Sequence, residues 1–552
     1  MRLEKFILDI LNSKRKINLI YLITLILFIL SILTFPTKIV KAKMLPNKDS
    51  DSFSIYVDLK DGSSKYETKE VVDCIVKNLQ YEENITNISA FISQGQPIDF
   101  AGLVKQSALK NSENQAELMI NIKRFKDREI TSYNLISNLR SKIQDSCQKK
   151  YEATIKFIEL PAGPPVLASL VAEIYGGDSF SSRRDFAIKV ANIFKNQDTL
   201  VDIDILASKD FFTYTLEINS NKAIMSQVDL EHLKATLYLA FEGMSLGVIN
   251  DKNAQSQIPI FLRLDDSRNL SNNSKDALNL KLNSLKIMNN MGKMISISEL
   301  VSIKQTIKEP TITSKNLNPI INVIAETSND SQIYPLLSSR EDMIKSFSND
   351  YEIIKTNMLN LSFIDKQTKE RFDLVFDGEL KVTIDTFIDL GTAFIIALIL
   401  IFLLMVVYYK NFALSGAIVL SSFISIIGVI FAHIIMDIFT KDTFYLTATS
   451  LIGFIALIGI NSRNSTLIID FAKQLVVENN LGVNEAIAKA AATRSKPIIL
   501  TVLVLVFASS LIANDAVFGG LGVALIGGTL ISYIVSMFFV PVVIRNSLKK
   551  IV

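Results

Sequence analysis

The chain has 552 residues, 58 Lys+Arg against 55 Asp+Glu and a net charge of +3, with no basic block, so nucleic acid is not among its expected partners. Its mean hydropathy of +0.31 averages two unlike regions: 17–35 and 391–545 are almost continuously apolar, while 40–385 reads as an ordinary soluble domain. Two cysteines without a CxxC and two histidines far apart, His232 and His433, supply neither a zinc site nor a catalytic pair, so no enzyme chemistry and no cofactor are expected.

The first apolar run, 17–35, follows Lys14, Arg15 and Lys16. Its long polar leader, its length and the lack of an A-x-A site make it an uncleaved anchor rather than a signal peptide.

Between Met44 and Thr383 short strands alternate with helices. Ser52–Leu59 alternates as a strand and Glu67–Leu79 has helical spacing. Ile85–Ser93 and Gln115–Lys123 are strand-like, Ile130–Gln148 is helical, and Ala153–Leu160 is a fourth strand. That series is β-α-β-β-α-β, the split βαβ unit. A second series starts at Leu170–Tyr175 with helix Arg183–Asn196. It resumes at Ile320–Ala325, helix Pro335–Phe347 and strand Asp373–Phe376, after a polar, strand-rich insertion over 201–308. Cys74 and Cys147 fall on the two helices of the first unit. An oxidising compartment would permit a disulfide, but spacing along a chain supplies no bonding geometry, and two free thiols are the expectation.

Five further stretches approach or exceed the roughly 20 apolar residues that a bilayer crossing needs: 387–409, 412–436, 446–471, 497–513 and 517–544. Lys410, Lys473, Lys489, Arg494, Lys496, Arg545, Lys549 and Lys550 join Lys14–Lys16 on one side if both termini are cytoplasmic. The opposite loops carry Asp385, Asp389, Asp437, Asp442 and Asp515. The positive-inside rule then puts 44–383 outside the cytoplasm. The expected fold class is an α+β membrane protein: a six-helix transmembrane bundle, one span plus five, with a large outside domain of βαβ type.

The fourth span holds a cation, Arg463, several residues deep. Such a charge costs about 2.5–3.5 kcal/mol on insertion scales and marks function by default. The bland alternative is a guanidinium that snorkels inward with help from Asp470. Asn461, Ser462, Asn464, Ser465 and Thr466 around it favour a buried polar network. No span carries a carboxylate near its middle, so an acid for proton coupling must come from elsewhere.

Several strings resemble the hydrophobe/amphiphile efflux branch of the resistance–nodulation–division superfamily, the acriflavin-resistance-type permeases. They are Leu446-Thr-Ala-Thr-Ser-Leu-Ile-Gly-Phe-Ile-Ala-Leu-Ile-Gly459, Arg463-Asn-Ser-Thr-Leu-Ile-Ile-Asp-Phe471, Arg494-Ser-Lys-Pro-Ile-Ile-Leu-Thr501, Phe518-Gly-Gly-Leu and Phe539-Val-Pro541. In the outside domain Glu159-Leu-Pro-Ala-Gly-Pro-Pro165 is similar to one subgroup. The resemblance covers the C-terminal half of such a permease. It implies that Arg463 is the intramembrane base that pairs with two aspartates of the other repeat, and that Thr501 and Arg494 are polar partners in that proton relay. Phe100, Ala101 and Gly102 would occupy the place of a substrate-switching loop.

The implied organisation is an N-terminal segment with the first span (1–40), a first porter-like subdomain (41–165) and a second (166–200 and 309–383). A docking-like insertion (201–308) and a five-helix membrane region (384–552) complete it. The implied setting is the bacterial inner membrane. The implied partners are a polypeptide equivalent to the N-terminal half, a trimeric assembly, a periplasmic adaptor and an outer-membrane channel. Two other readings are a six-span protein-export accessory of the same superfamily and a non-transporting remnant of a split permease.

Overall fold

The computed structural model describes residues 2–208, 210–254, 256–264, 275–328, 330–357, 359–440 and 442–549; Lys550, counted in the charge pattern, lies outside them. The chain forms two compact units, one of 2–207 with 312–549 and one of 208–311 among the described residues.

The larger unit begins with an amphipathic helix, α1 (Arg2–Asn12), whose Ile7, Ile10 and Leu11 bury among Leu414, Ala486 and Leu548 of the helical core. It continues into α2 (Lys14–Leu33). Next comes a four-stranded antiparallel sheet from β1 (Ser52–Asp58), β2 (Ile85–Ile92), β3 (Gln115–Ile122) and β4 (Thr154–Ile158), in the order β2-β3-β1-β4. Helices α3 (Lys65–Leu79) and α4 (Ser132–Ile143) cover one face. A capping box between Ser64 and Glu67 starts α3. A π-helical turn, Gln144–Gln148, follows α4 and carries Cys147 to a Cα–Cα distance of 6.0 Å from Cys74 on α3. The two are disulfide-bonded. The expectation of two free thiols is corrected, because the side-by-side helices and the π turn supply the geometry that spacing could not.

A second sheet uses β5 (Leu170–Gly176), β6 (Leu200–Leu206), β7 (Asn318–Thr327), β8 (Tyr351–Lys355), β9 (Leu361–Asp365) and β10 (Arg371–Asp377). Its path runs β7-β5-β10-β9-β8, with β6 and the short strand Thr313–Lys315 also paired to β7. Strand β6, at the start of the stretch expected to be an insertion, therefore sits in this sheet. Helices α5 (Phe180–Lys195) and α6 (Ile333–Phe347) pack on it around Phe186, Phe347 and Phe363.

The sheet leads straight into α7 (Glu379–Tyr409) through Gly378, which has φ +87°. A Cβ there would lie 2.5 Å from the Ala168 carbonyl oxygen, so the junction needs glycine. The remaining helices are α8 (Phe412–Ile424), α9 (Ile426–Phe439), α10 (Ala448–Asn479), α11 (Val483–Ile512), α12 (Gly519–Ile534) and α13 (Val540–Leu548). Among the described residues six helical stretches are long and apolar enough to cross a membrane: Lys14–Leu33, Glu379–Tyr409, Phe412–Phe439, Ala448–Asn479, Val483–Ile512 and Gly519–Leu548. Where α9 meets α12, a Cβ on Gly428 would lie 2.3 Å from the Gly527 carbonyl oxygen. Glycine on both helices permits a backbone approach that dispersion rewards where no hydrophobic effect acts between spans.

The smaller unit pairs Phe212–Ile218 with Val301–Ile307 and Met244–Ile249 with Ile258–Leu262, both antiparallel. Leu233, Leu237, Leu282, Ile297 and Leu300 form its core.

Candidate functional site

Along α10 the polar residues divide between two faces. Positions two apart on an α-helix point about 200° apart, so Asn461 and Arg463 cannot share a side. Asn461, Ser462, Asn464 and Ser465 are buried. Asn461 Oδ1 accepts from Ser532 Oγ at 2.7 Å and Ser536 Oγ at 3.3 Å, and its Nδ2 donates to Ser421 Oγ at 3.3 Å. Ser421 meets Ser465 at 3.0 Å and Ser422 meets Ser462 at 3.3 Å. The network is there, but Arg463 is not part of it. Its side is exposed, and it makes no hydrogen bond or ion pair with any described residue. Asp470 does not serve it either, since its two oxygens accept from Tyr409 OH at 2.8 Å and Tyr408 OH at 3.4 Å on α7.

Thr501 is also exposed and donates only to the Ile498 carbonyl at 2.8 Å. Arg494 is half-buried, its guanidinium 4.9 Å above the Phe471 ring, and its Nε has no hydrogen-bond partner among the described residues. The three relay candidates are not hydrogen-bonded to one another. His433, on α9, is a satisfied core residue, with Nδ1 2.8 Å from the Val429 carbonyl and Nε2 2.9 Å from Ser450 Oγ.

Between the first and second sheets lies a cavity of about 110 Å³. Its walls are mixed: Lys43, Lys105, Arg140, Glu159, Glu326 and Glu379 line it together with apolar residues such as Phe157, Leu160 and Val166. A register shift between β6 and β7 puts Asp202 at φ +52°, and a bulge of this kind re-aims a side chain. Its Oδ2 accepts from Arg140 Nε at 3.2 Å and from the Phe157 amide at 3.0 Å. Arg140 Nη2 lies 3.8 Å from Glu159 Oε1. Lys105 pairs with Glu326, which also accepts from the Ser169 amide at 3.1 Å. Burial pushes the Glu159 carboxyl up to about 7, with Arg140 opposing and Glu326 adding to the rise.

Of the loop residues singled out from the sequence, Ala101 lines this cavity and is buried against Tyr56 and Ile158. Phe100 is half-exposed and lies outside the cavity lining. The Gly102 amide donates to Asp99 Oδ1 at 2.6 Å, which closes the loop on itself. The ion pairs had no sequence signal, because Arg140, Glu159, Asp202 and Glu326 are far apart along the chain. The tyrosine pair did have one: two adjacent tyrosines closing an apolar span mark an interfacial anchor.

Residues 2–545 match the AcrB/AcrD/AcrF family. The chain is similar to the multidrug export protein AcrF of Escherichia coli (strain K12), 20% identical over 558 residues, covering 98% of this chain and 48% of that protein. It is also similar to the solvent-resistant pump membrane transporter SrpB of Pseudomonas putida, 20% identical over 514 residues, covering 92% and 44%. A crystal structure of a heavy metal efflux pump superposes with a TM-score of 0.73 at 16% identity, over 99% of this chain and 52% of that one. The chain spans about half the length of the curated relatives it matches.

Proposed function

The chain belongs to the AcrB/AcrD/AcrF family of resistance–nodulation–division permeases, and on that premise we propose that it is one repeat, of the C-terminal type, of a proton-driven efflux pump for hydrophobic or amphiphilic compounds. The observation that carries this reading is Arg463: a cation on a membrane helix, without a hydrogen bond or ion pair to any described residue, with the nearest carboxylate on that helix engaged by two tyrosines. A guanidinium at that depth needs acceptors, and a second repeat with mid-membrane carboxylates supplies them across the Arg463 face. Proton binding to those acids releases the cation and shifts the helices, and α7 passes the shift to the second outside sheet. Thr501 and Arg494 line the same route as neutral and cationic partners.

In this reading the two sheets are porter subdomains and residues 208–311 a docking element. The working pump is a trimer in the inner membrane with both termini cytoplasmic, meeting an adaptor and an outer channel. The Cys74–Cys147 disulfide supports placing the outside domain in an oxidising compartment. The test is export. In cells without other pumps, the chain co-expressed with a six-span repeat bearing paired mid-membrane aspartates should extrude an amphiphilic dye, and either component alone should not. Export by this chain alone, or none by the pair, overturns the proposal.

A further inference from the structure

Two side chains of α4 grip the loop between α9 and α10, which also bonds the backbone of the segment after α2, Leu446 N to the Lys41 carbonyl at 2.8 Å and Lys43 N to the Leu446 carbonyl at 3.1 Å. Asp442 Oδ2 accepts from Tyr133 OH at 2.9 Å and its Oδ1 from Asn134 Nδ2 at 2.8 Å. Both donors stand in the first turn of α4, where the helix dipole also favours an anion. Burial, with Asp442 beside it, pushes the Tyr133 phenol up to about 12, so it remains a donor. The loop is braced for this contact. Thr440 Oγ1 donates to the Asp442 carbonyl at 2.8 Å, and the Phe444 amide to Asp437 Oδ1 at 2.7 Å.

Helix α4 is a stiff piece. Leu135, Ile136, Leu139 and Ile143 bury its inner face on the first sheet, and the disulfide ties the turn after it to α3. Arg140 lies six residues beyond Asn134, about 9 Å along the axis at 1.5 Å per residue, and forms one wall of the cavity. The opposite connection is covalent. Strand β10 runs through Gly378 into α7, whose Glu379 and Val382 line the same cavity. At its far end α7 is held to α10 by Tyr409 and Asp470. The cavity is therefore a point where three membrane attachments meet: α7, the segment after α2, whose residues 43–48 line it, and the α9–α10 loop, which reaches it through α4.

We infer that Asp442 is a positioning residue of the transport cycle, clasping the α9–α10 loop to α4 so that displacement of these helices against α7 opens or closes the charged cleft at Arg140. The inference rests on the efflux reading for its purpose, while the mechanical link stands on the contacts alone. Without the clasp, the first sheet keeps its ion pairs to the second but loses one anchor to the membrane helices, so the sheets separate more often and the interface amides should exchange faster.

Hydrogen–deuterium exchange on the full chain in lipid nanodiscs reads this directly. Asp442→Ala should raise exchange about tenfold or more at Phe157–Leu160 and along β6, the scale set by losing hydrogen bonds to a charged group. Asp442→Glu, which keeps the carboxylate, should restore most of the protection. Tyr133→Phe with Asn134→Ala approaches the clasp from the other partner and should raise the same amides. Combining all three changes should add nothing further, since they break one link. A rise confined to 437–446 and the first turn of α4, an additive triple variant, or no rise overturns the inference. Where the co-expressed pair exports dye, Asp442→Ala should slow maximal export about tenfold with dye binding unchanged, a split a merely structural role would not give; undiminished export overturns it too. A wild-type pair that exports nothing removes the efflux reading instead, and the exchange pattern alone then decides the clasp.

Discussion

The two large sheets and the membrane helices handle buried polar groups in opposite ways. Between the sheets the chain buries full charges and pairs several of them with their opposites. Lys156 bridges Asp58 at 3.0 Å and Asp204 at 2.6 Å, and Arg140 holds Asp202. Among the described residues of the membrane helices the buried polar side chains are amides, hydroxyls and one imidazole rather than carboxylates or cations, among them Asn461, Asn464, His433 and serines 421, 422, 462, 465, 532 and 536. The contrast follows from solvent. Water reaches the rim of the outer cleft and relaxes a paired charge there, whereas a charge within the bilayer has only protein to satisfy it. Arg463 is a full charge on these helices that faces outward, and its surface asks for charge from outside the described residues.

The largest expected effect comes from removing that exception. With a partner repeat co-expressed, Arg463→Ala should abolish dye export while membrane insertion and assembly survive, as judged by fractionation and cross-linking. Arg463→Lys should keep part of the activity, because an ammonium still pairs with a carboxylate but cannot span two in fork geometry. Full export by Arg463→Ala would mean that the outward cation is only a snorkelling residue.

The outside half of the comparison is broken most directly at the disulfide. Cys74→Ser opens a loop of 73 residues, and chain entropy puts the loss near 4 kcal/mol. Denaturant unfolding should show it as a drop in the transition midpoint of the outside domain, with no matching change in the helical signal of the membrane region. Within the membrane the corresponding change is Asn461→Ala. It leaves Ser532, Ser536 and Ser421 without their shared partner, at a cost of about 0.6–2 kcal/mol because the opened helices find other partners in lipid. A loss as large as that for the disulfide would show that this neutral network holds the membrane helices far more firmly than competing partners in lipid allow, and the expectation would fail.

What could be read in advance follows the same division. Apolar runs announce spans by length alone, and Ser52–Leu59 or Glu67–Leu79 announce a strand and a helix by period; the structure has Ser52–Asp58 and Lys65–Leu79 there. Orientation about a helix axis is a different matter. The cluster around Arg463 looked like one network, yet Asn461 and Ser465 turn inward while Arg463 turns out, and only packing against α8 and α12 decides which face is which. Strand β6 was lost in a polar stretch because its pairing with β7 spans more than a hundred residues. The cleft charges were invisible for the same reason: Arg140 meets Asp202 through a bulge that no local pattern records.

The smallest expected effect separates the members of the charged interface by sign. Glu159 has its folded value raised from 4.5 to about 7, chiefly by burial. Between those limits the folded chain holds a proton that the unfolded chain has released, so the stability of the outside domain from this group falls as pH rises from 4.5 to about 7 and is level beyond it. Asp58 behaves oppositely. Burial would raise it, but Lys156 and Lys110 overcome that and hold it at about 2, so its contribution is present above 3.8 and lost as pH falls toward 2. Thermal unfolding across both windows should therefore show a decline on the neutral side that Glu159→Gln removes, and a decline on the acid side that it leaves in place. If Glu159→Gln keeps the neutral-side slope, the proton belongs instead to Asp202, whose carboxyl burial also raises, and Asp202→Asn should then flatten it at the expense of the Arg140 contact.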